Sequence, residues 1–470
     1  MATTSGALDA ETEQAVERYV AEWMSENGVP GASVAVVTGT DLSYSEGFGA
    51  RDLDDDLPAT PDTLYGIGSC TKSVVATAVL QCVERTDLEL SDPVSEYLPH
   101  LSEVPGDPVT VESLLNHTSG MPSDGNLSAL VTRLTDIGDA NVPLTSEDDF
   151  RRHVQASSDE RYTEDEHFFY YNTGFALLGK LVAELTGIDF ERYVRKNVFA
   201  PLGMERSCFT AERFEAEEDR MSAYYEESGA DGDSEWREGS LGFAEPMYAP
   251  GGLASSVVET SRFLRALMNG GELDGERILP ADAVTAMTTP SVTRYENVDG
   301  VEREYGYGLS VMSFLDDTLV GHGGMMGTTT AFIGYLDDAE VGVVVACNTA
   351  PAHHPTVAGH ALLAILQGED PEAAVPRLAL ERKADSLVGE YESYRAIQEA
   401  TVEREGTNLS VEVTGRLGDR SMTLFPETAD PEDLTYYTVS GDSRVAVEFL
   451  DTEEGVDMLL QRWRLHRQHE

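Results

Sequence analysis

Residues 73–83, including Val74, Val75, Ala78, Val79, Leu80, Cys82 and Val83, are apolar nearly all the way round a helix. A helix without a polar face must be packed on every side, so this stretch predicts a helix in the middle of a layered domain. Just before it runs Gly68-Ser69-Cys70-Thr71-Lys72-Ser73, which puts Ser69 at the helix's N-terminal end. Ser69 and Lys72 form the one S-x-x-K of a chain with four lysines and 28 arginines. The i, i+3 spacing sets both side chains on one face. Arginine serves ion pairing and solubility equally well, whereas lysine can lose its proton near neutral pH when its surroundings press it to. The pair therefore reads as an activated serine nucleophile.

The rest of the chain supplies the layers. Asp9 is placed to cap a helix reaching Asn27, with Val16, Tyr19, Val20, Trp23 and Met24 on one face and Gly28 as its stop. Residues 32–37 and 42–47 read as strands. From there to about residue 300 helices and loops dominate, most clearly at 176–185 and 261–268, and the acidic stretch 212–238 reads as a solvated loop near the site entrance. Strand composition returns at 307–312, 318–321, 328–336 and 341–347, followed by a closing helix at 357–366. One antiparallel sheet built from both ends of the domain and flanked by helices, an α/β sandwich with a mostly helical subdomain, is the expected fold of residues 1–370. A charged, proline-bearing linker is expected at 371–385. Beyond it the period changes to two: Leu409, Val411, Val413; Val445, Val447, Phe449; Val456, Met458, Leu460, with a turn at 451–455. Residues 386–470 therefore read as a small all-β barrel or sandwich.

The 85 acidic residues outnumber the 32 Lys and Arg, for a formal net charge of -53, yet 41% of residues are apolar. That is a folded core under an acidic skin, because a disordered acidic chain lacks the apolar share. With scarce lysine it resembles the proteins of salt-accumulating halophiles. At molar salt the Debye length falls to about 3 Å, so this charge reports the solvent and implies no partner. No basic stripe marks a nucleic-acid surface. The start Met1-Ala2-Thr3-Thr4-Ser5-Gly6 has neither a charged nor an apolar leader region, and no apolar run reaches the roughly 18 residues of a membrane span, so a cytoplasmic protein without membrane contact is expected. Cys70, Cys82, Cys208 and Cys347 lack metal spacing and read as small buried residues, with Cys70, beside Ser69, the one whose oxidation or alkylation would inhibit. His353, His354 and His360 have no carboxylate at ligand spacing; no metal or cofactor is expected.

Two further runs give Ser69-x-x-Lys72 its context: Tyr170-Tyr171-Asn172, a Y-x-N, and His322-Gly323-Gly324, an H-x-G at a strand. In this order the motifs resemble those of the serine β-lactamase and penicillin-binding-protein superfamily, in its branch of class C-like β-lactamases, esterases and D-amino-acid-specific peptidases. The likeness spans residues 9–367 and includes Val29-Pro30-Gly31-Ala32, Leu114-Leu115-Asn116-His117-Thr118-Ser119-Gly120, Pro201-Leu202-Gly203-Met204 and Gly251-Gly252-Leu253. Glu112 matches an E-x-x-L-N but precedes the Y-x-N, the wrong order for a deacylating glutamate, and reads as an ordinary helix N-terminal acid.

The resemblance implies roles. Ser69 would attack a carbonyl and form an acyl-enzyme; Lys72 and Tyr170 would share the base's task. Asn172 would hold the acyl side chain of the substrate. The backbone N–H groups of Ser69 and Met325 would form the oxyanion hole, at about 3 to 4 kcal/mol per donor. Gly324, like Gly323, would let the substrate approach the strand edge. His322 stands where many relatives carry a lysine that holds a substrate carboxylate, and its reference pKa near 6.5 leaves it mostly neutral at pH 7. That departure favours an esterase, amidase or D-amino-acid peptidase acting on a small ester, amide or short peptide over a true β-lactamase; an inert scaffold or filament relative is the third reading. The C-terminal domain resembles the lipocalin-like β-domain appended to some superfamily members, where it would plug the active-site mouth or assist oligomer formation.

Overall fold

The structure, a computed structural model, describes residues 6–122, 127, 146–163, 167–228, 234–298, 300–415, 418–453 and 455–468. Residues 1–5 of the terminus, 229–233 of the acidic stretch and Glu454 of the 451–455 turn, on all of which sequence expectations fall, lie outside the described residues. The chain divides into two compact units, one of residues 1–295 and 302–366, the other of 296–301 and 367–470.

The first unit is built on nine strands: β1 (Gly31–Thr38), β2 (Asp41–Asp52), β3 (Leu57–Pro58), β4 (Val292–Glu296), β5 (Glu302–Tyr305), β6 (Ser310–Phe314), β7 (Asp317–Met326), β8 (Thr329–Leu336) and β9 (Val341–Cys347). Their order across the sheet is β4-β5-β6-β7-β8-β9-β1-β2-β3. The sheet closes between the two ends of the domain, where β1 and β9 run antiparallel from the Ala32–Cys347 pair to the Thr38–Val341 pair. Every residue of β1, β8 and β9 is buried, which is why these segments read as unbroken apolar runs instead of alternating ones.

Helices cover both faces. On α1 (Ala10–Glu26), the Asp9 carboxylate accepts the Glu11 and Thr12 N–H groups, each at 3.0 Å, and Val16, Val20, Trp23 and Met24 are buried. With α1 packs the closing helix Pro355–Leu366, against β8 and β9; its Gly359 sits where a Cβ would meet the Phe332 ring at 2.1 Å. The other face carries the helix Val257–Met268, whose Leu264 and Met268 touch the space beside Gly342. In the numbering used below, α2 is Thr71–Arg85, α3 is Asn172–Thr186, α4 is Val257–Met268, α5 is Pro355–Leu366 and α6 is Pro376–Asp385.

The helix expected at 73–83 is α2, with every residue from Thr71 to Cys82 buried. Its buried hydroxyls and the Gln81 amide N–H group find partners, while the Gln81 Oε1 has none among the described residues. Thr71, Ser73 and Thr77 hydroxyls donate to Gly68, Cys70 and Ser73 carbonyls, and the Gln81 amide donates to the Asn197 and Ile278 carbonyls.

The acidic stretch 212–238 is not a plain loop. It holds the short helix Ala211–Glu215 and the hairpin Ala223–Ser228 with Ser234–Gly239, with Met221 and Tyr224 buried. Its acids lie on a structured segment whose few apolar side chains anchor it, and the dense charge hid that alternation.

The second unit contains a closed barrel: β10 (Gly389–Ser393), β11 (Gln398–Glu405), β12 (Asn408–Gly415), β13 (Arg420–Pro426), β14 (Thr435–Ser440), β15 (Ser443–Thr452), β16 (Gly455–Leu460) and β17 (Trp463–Arg467). Each strand pairs with the next, and β10 closes on β17 through Tyr391–Arg467 and Ser393–Leu465. Leu409, Val411, Val413, Val447, Phe449, Met458 and Leu460 fill its core. The stretch read as a linker is helical at Pro371–Ala374 and in α6, and Ala384 of α6 belongs to the barrel core.

Candidate active site

The site begins at a turn. Gly68 has φ +54°, in the left-handed region, and a Cβ there would lie 2.3 Å from the Met325 nitrogen, so only glycine fits between β7 and the start of α2. The 3-10 turn Gly68–Cys70 then leads into α2, leaving Ser69 partly exposed while Cys70 and Lys72 are fully buried. One helical turn on, the Lys72 Nζ lies 3.0 Å from the Ser69 Oγ. It also donates to the Asn172 Oδ1 at 2.6 Å and to the Pro250 carbonyl at 2.7 Å. A buried amine needs such acceptors, and they fix its position relative to the serine.

Asn172 opens α3, so the strand-like residues before it, Tyr170 and Tyr171, are aimed by the helix start. The Tyr170 ring centre is 4.8 Å from the Lys72 Nζ. Tyr171 is buried in the core. His117 holds this segment: its carbonyl accepts the Phe169 N–H at 2.8 Å, its Nδ1 accepts the Tyr171 N–H at 3.0 Å, and its ring stacks 4.3 Å from that of Tyr170. Because Nδ1 accepts, the imidazole proton sits on Nε2. Burial, then the Lys72 charge, push His117 well below the usual histidine range, so it is neutral.

Strand β7 forms the opposite wall. Its pairing with β6 ends at Ser310–Gly321, so the edge from His322 onward carries no strand partner among the described residues. Gly324 is pressed against the turn that carries Ser69: a Cβ there would meet the Ile67 carbonyl at 1.9 Å and the Ser69 nitrogen at 2.9 Å. A Cβ on Gly323 would strike the Thr356 hydroxyl at 2.4 Å, on the α5 side. Packing of the strand therefore requires glycine at both positions. The same packing sets the backbone of Met325 against Gly68, the residue before Ser69, while Met325 is 62% exposed. The Gly324 carbonyl is 3.0 Å from the Nε2 of His354, one of the histidines weighed as a metal ligand. No cluster of metal-ligating side chains occurs among the described residues.

His322 does not present a charge. Its side chain is buried, its Nδ1 lies 2.5 Å from the Gly323 carbonyl and its Nε2 3.0 Å from the Tyr305 hydroxyl. The carbonyl fixes Nδ1 as the protonated nitrogen, so Nε2 accepts from Tyr305. Burial, then the Lys72 charge, lower its pKa to about 3. Cys70 is likewise sequestered: its thiol donates to the His322 carbonyl, and burial raises it to about 12, which removes the reactivity expected from its position beside Ser69. Glu112 accepts the Tyr307 hydroxyl at 2.5 Å and stands in the first turn of the helix Val111–Leu115.

The three motifs thus meet, with Ser69, Lys72, Tyr170 and Asn172 around one point and the backbone of Gly324 and Met325 beside Ser69. Three participants are not legible as motif residues: the Pro250 carbonyl, His117 as the brace of Tyr170, and Tyr305 as the partner of His322. A backbone carbonyl has no sequence signature, but His117 stands in the quoted Leu-Asn-His-Thr-Ser-Gly run.

The fold is that of the serine penicillin-binding-protein and β-lactamase class. The Beta-lactamase family matches residues 14–367, and the chain belongs to that family. Residues 371–466 match the Pab87 octamerisation domain. The octameric penicillin-binding protein homologue from Pyrococcus abyssi superposes with a TM-score of 0.85 at 32% identity, covering 97% of this chain and 100% of that one. A D-stereospecific amidohydrolase from Streptomyces sp. gives a TM-score of 0.57 at 25% identity over 72% of this chain and 94% of its own. Among curated proteins, Protein flp of Staphylococcus aureus is 23% identical over 360 residues, 75% of this chain and 66% of that protein. The putative penicillin-binding protein PbpX of Bacillus subtilis is 27% identical over 251 residues, 53% of this chain and 58% of that protein. The chain therefore spans less than two thirds of the length of these curated relatives.

Proposed function

We propose that the chain is a serine hydrolase that cleaves an ester or amide of a small acyl donor, including short peptides with D-amino acids, through an acyl-enzyme on Ser69. The observation that carries this reading is the buried Lys72 Nζ at 3.0 Å from the Ser69 Oγ, with the Tyr170 ring against it. Ser69 Oγ bonds to the substrate carbonyl carbon as its proton passes to the Lys72–Tyr170 pair. The Ser69 and Met325 N–H groups receive the negative oxygen. Collapse breaks the bond to the leaving group, which takes the proton from Tyr170; water, deprotonated by the same pair, then releases the acid. The Asn172 amide, whose Oδ1 accepts from Lys72, holds the acyl side chain of the substrate.

The neutral, buried His322 favours an esterase or D-amino-acid amidase over a β-lactamase, and the amidohydrolase neighbour supports the same choice. The proposal includes assembly through the barrel, supported by its match to an octamerisation domain and by the octameric homologue. It also includes a salty cytoplasm, supported by the acidic composition and four unpaired cysteines; among the described residues no helix is long and apolar enough to cross a membrane.

The test is a panel in molar KCl: a chromogenic ester, a D-aminoacyl anilide and a chromogenic cephalosporin, each with wild type and Ser69→Ala. The expected result is ester or anilide turnover that Ser69→Ala abolishes. Fast cephalosporin turnover with slow ester cleavage would move the assignment to β-lactamase, and failure of a fluorophosphonate to label Ser69 would move it to the inert scaffold.

A further inference from the structure

His354, the residue before α5, lies outside the three motifs, yet its ring makes two contacts with separate effects. Its Nδ1 is 3.1 Å from the Thr356 nitrogen and 2.9 Å from the Thr356 Oγ1, and its Nε2 is 3.0 Å from the Gly324 carbonyl oxygen. The Thr356 N–H can only donate, so Nδ1 accepts and the ring proton sits on Nε2, which donates to the Gly324 carbonyl. Burial lowers the pKa of His354, so the ring is neutral at pH 7. One end of the imidazole therefore caps the start of α5, as an N-cap oxygen would, and the other end grips strand β7.

The ring is itself held in place. The Asn27 Oδ1 accepts the His353 N–H at 2.9 Å, the Trp23 indole donates to the His353 carbonyl at 2.9 Å, and the His354 carbonyl accepts the Val357 N–H at 2.8 Å. The strand it grips is the less constrained partner. Gly323 and Gly324, glycines because of packing, have the widest choice of backbone angles of any residue pair. On one edge Gly324 pairs with Ala331 of β8, while the other edge has no strand partner from His322 onward among the described residues. The Gly324–Met325 peptide is trans, and in a planar trans peptide the C=O and the N–H point to opposite sides. A donor fixed on the Gly324 carbonyl thus settles the direction of the Met325 N–H. It also polarises the peptide, which makes that N–H a stronger donor.

We infer that His354 is a positioning residue for the oxyanion hole: its Nε2–H, acting through one peptide unit, aims and strengthens the Met325 N–H that receives the negative oxygen. The inference rests on the part of the proposed function that places the Met325 N–H in that hole. The His354 contact is made before any substrate arrives, so the donor does not have to be turned as charge develops. It also accounts for a histidine at this position, since one neutral imidazole supplies an acceptor for α5 and a donor for β7 at opposite ends of a rigid ring.

The two ring nitrogens can be removed one at a time. Asparagine places an amide oxygen near the position of Nδ1 and falls short of Gly324, whereas glutamine places an amide nitrogen near that of Nε2. With the full chain and the best chromogenic ester, His354→Asn is expected to lower kcat about tenfold, with KM nearly unchanged and Tm near wild type. That is less than the about 10²- to 10³-fold cost of deleting an oxyanion donor outright, and the split marks an interaction that acts on the transition state. His354→Gln is expected to recover most of kcat while its Tm falls below that of His354→Asn, because it lacks the cap. Hydrogen exchange of residues 322–326, followed by mass spectrometry without substrate, should be faster in His354→Asn than in wild type or His354→Gln. Wild-type kcat together with wild-type exchange in His354→Asn overturns the role of His354 and leaves the oxyanion hole as proposed. Faster exchange with wild-type kcat removes the Met325 N–H from the oxyanion hole, and the role of His354 falls with it. Equal losses of kcat in both variants, in step with Tm, would mean that His354 serves only the fold and would overturn its positioning role. If no ester turns over, the rate of Ser69 labelling by a fluorophosphonate, whose phosphoryl oxygen needs the same donors, replaces kcat with the same outcomes deciding it.

Discussion

The catalytic unit and the barrel bury polarity in opposite ways. In the catalytic unit the centre of the core is polar: Lys72, His117 and His322 are buried, each tied to backbone or side-chain partners that come from segments far apart in the chain. The barrel core is a ring of aliphatic and aromatic side chains contributed by strands that pair with their sequence neighbours. Its buried polar residues include Lys383, which donates to the Thr428 carbonyl and stands over the Tyr436 ring, and Asp457, paired with Arg464. The difference teaches where function resides. A buried amine and neutral imidazoles are costly to maintain, and in the proposed mechanism they lie where a proton moves.

That contrast is breakable, beginning with its largest expected effect. Lys72→Ala removes the proton acceptor and strands the Asn172 Oδ1 and the Pro250 carbonyl, so kcat on the best ester is expected to fall by about 10³- to 10⁴-fold. Near-wild-type kcat would show that the buried amine is structural.

His117→Ala removes the brace of Tyr170 and is expected to lower kcat by about 10²-fold, a loss of the kind caused by a displacement of about 1 Å. In a Tyr170→Phe background the same change should cost little more. Full additivity in that double variant would mean His117 acts through the general fold, not through Tyr170.

Acid should separate the two units. His322 and His360 titrate near 3 in the folded protein, and burial also lowers His117 and His354, whereas all four return to about 6.5 when unfolded. Between those values the unfolded chain binds more protons, so the stability they contribute is present above about pH 6.5 and is lost as pH falls, at about 1.4 kcal/mol per pH unit for each fully titrating histidine. Among its described residues the barrel has no buried histidine; His466 is exposed. Calorimetry from pH 7.5 to 5.5 should therefore lower the catalytic unit's transition and leave the barrel's nearly fixed. Parallel shifts would break the comparison.

Leu409→Ala, in the barrel core, is expected to cost that unit about 2 to 5 kcal/mol and to leave kcat unchanged. A fall in kcat would couple the barrel to the chemistry.

The same contrast explains what could be read from the sequence. The barrel was legible because one face of each strand is wet, so Leu409, Val411 and Val413 alternate with polar residues. The centre of the catalytic unit was legible for the opposite reason, since β1, β9 and α2 are buried all round and read as continuous apolar runs. The neutrality of His322 follows already from its reference pKa; not legible were the Tyr305 hydroxyl and the burial that hold it so. Nor was the packing demand on Gly324, which comes from Ile67 and Ser69, more than two hundred positions away in sequence. The edge strand β4 and its neighbour β5 hid behind their charges.

The central claim is that Ser69 is acylated. The most direct measurement is intact-protein and peptide mass spectrometry of the full chain quenched during turnover of a slow ester. The account predicts a mass increase equal to the acyl group on the peptide containing Ser69, absent from Ser69→Ala and accumulating only weakly in Lys72→Ala. Turnover with no acyl mass on Ser69, undiminished in Ser69→Ala, would contradict it.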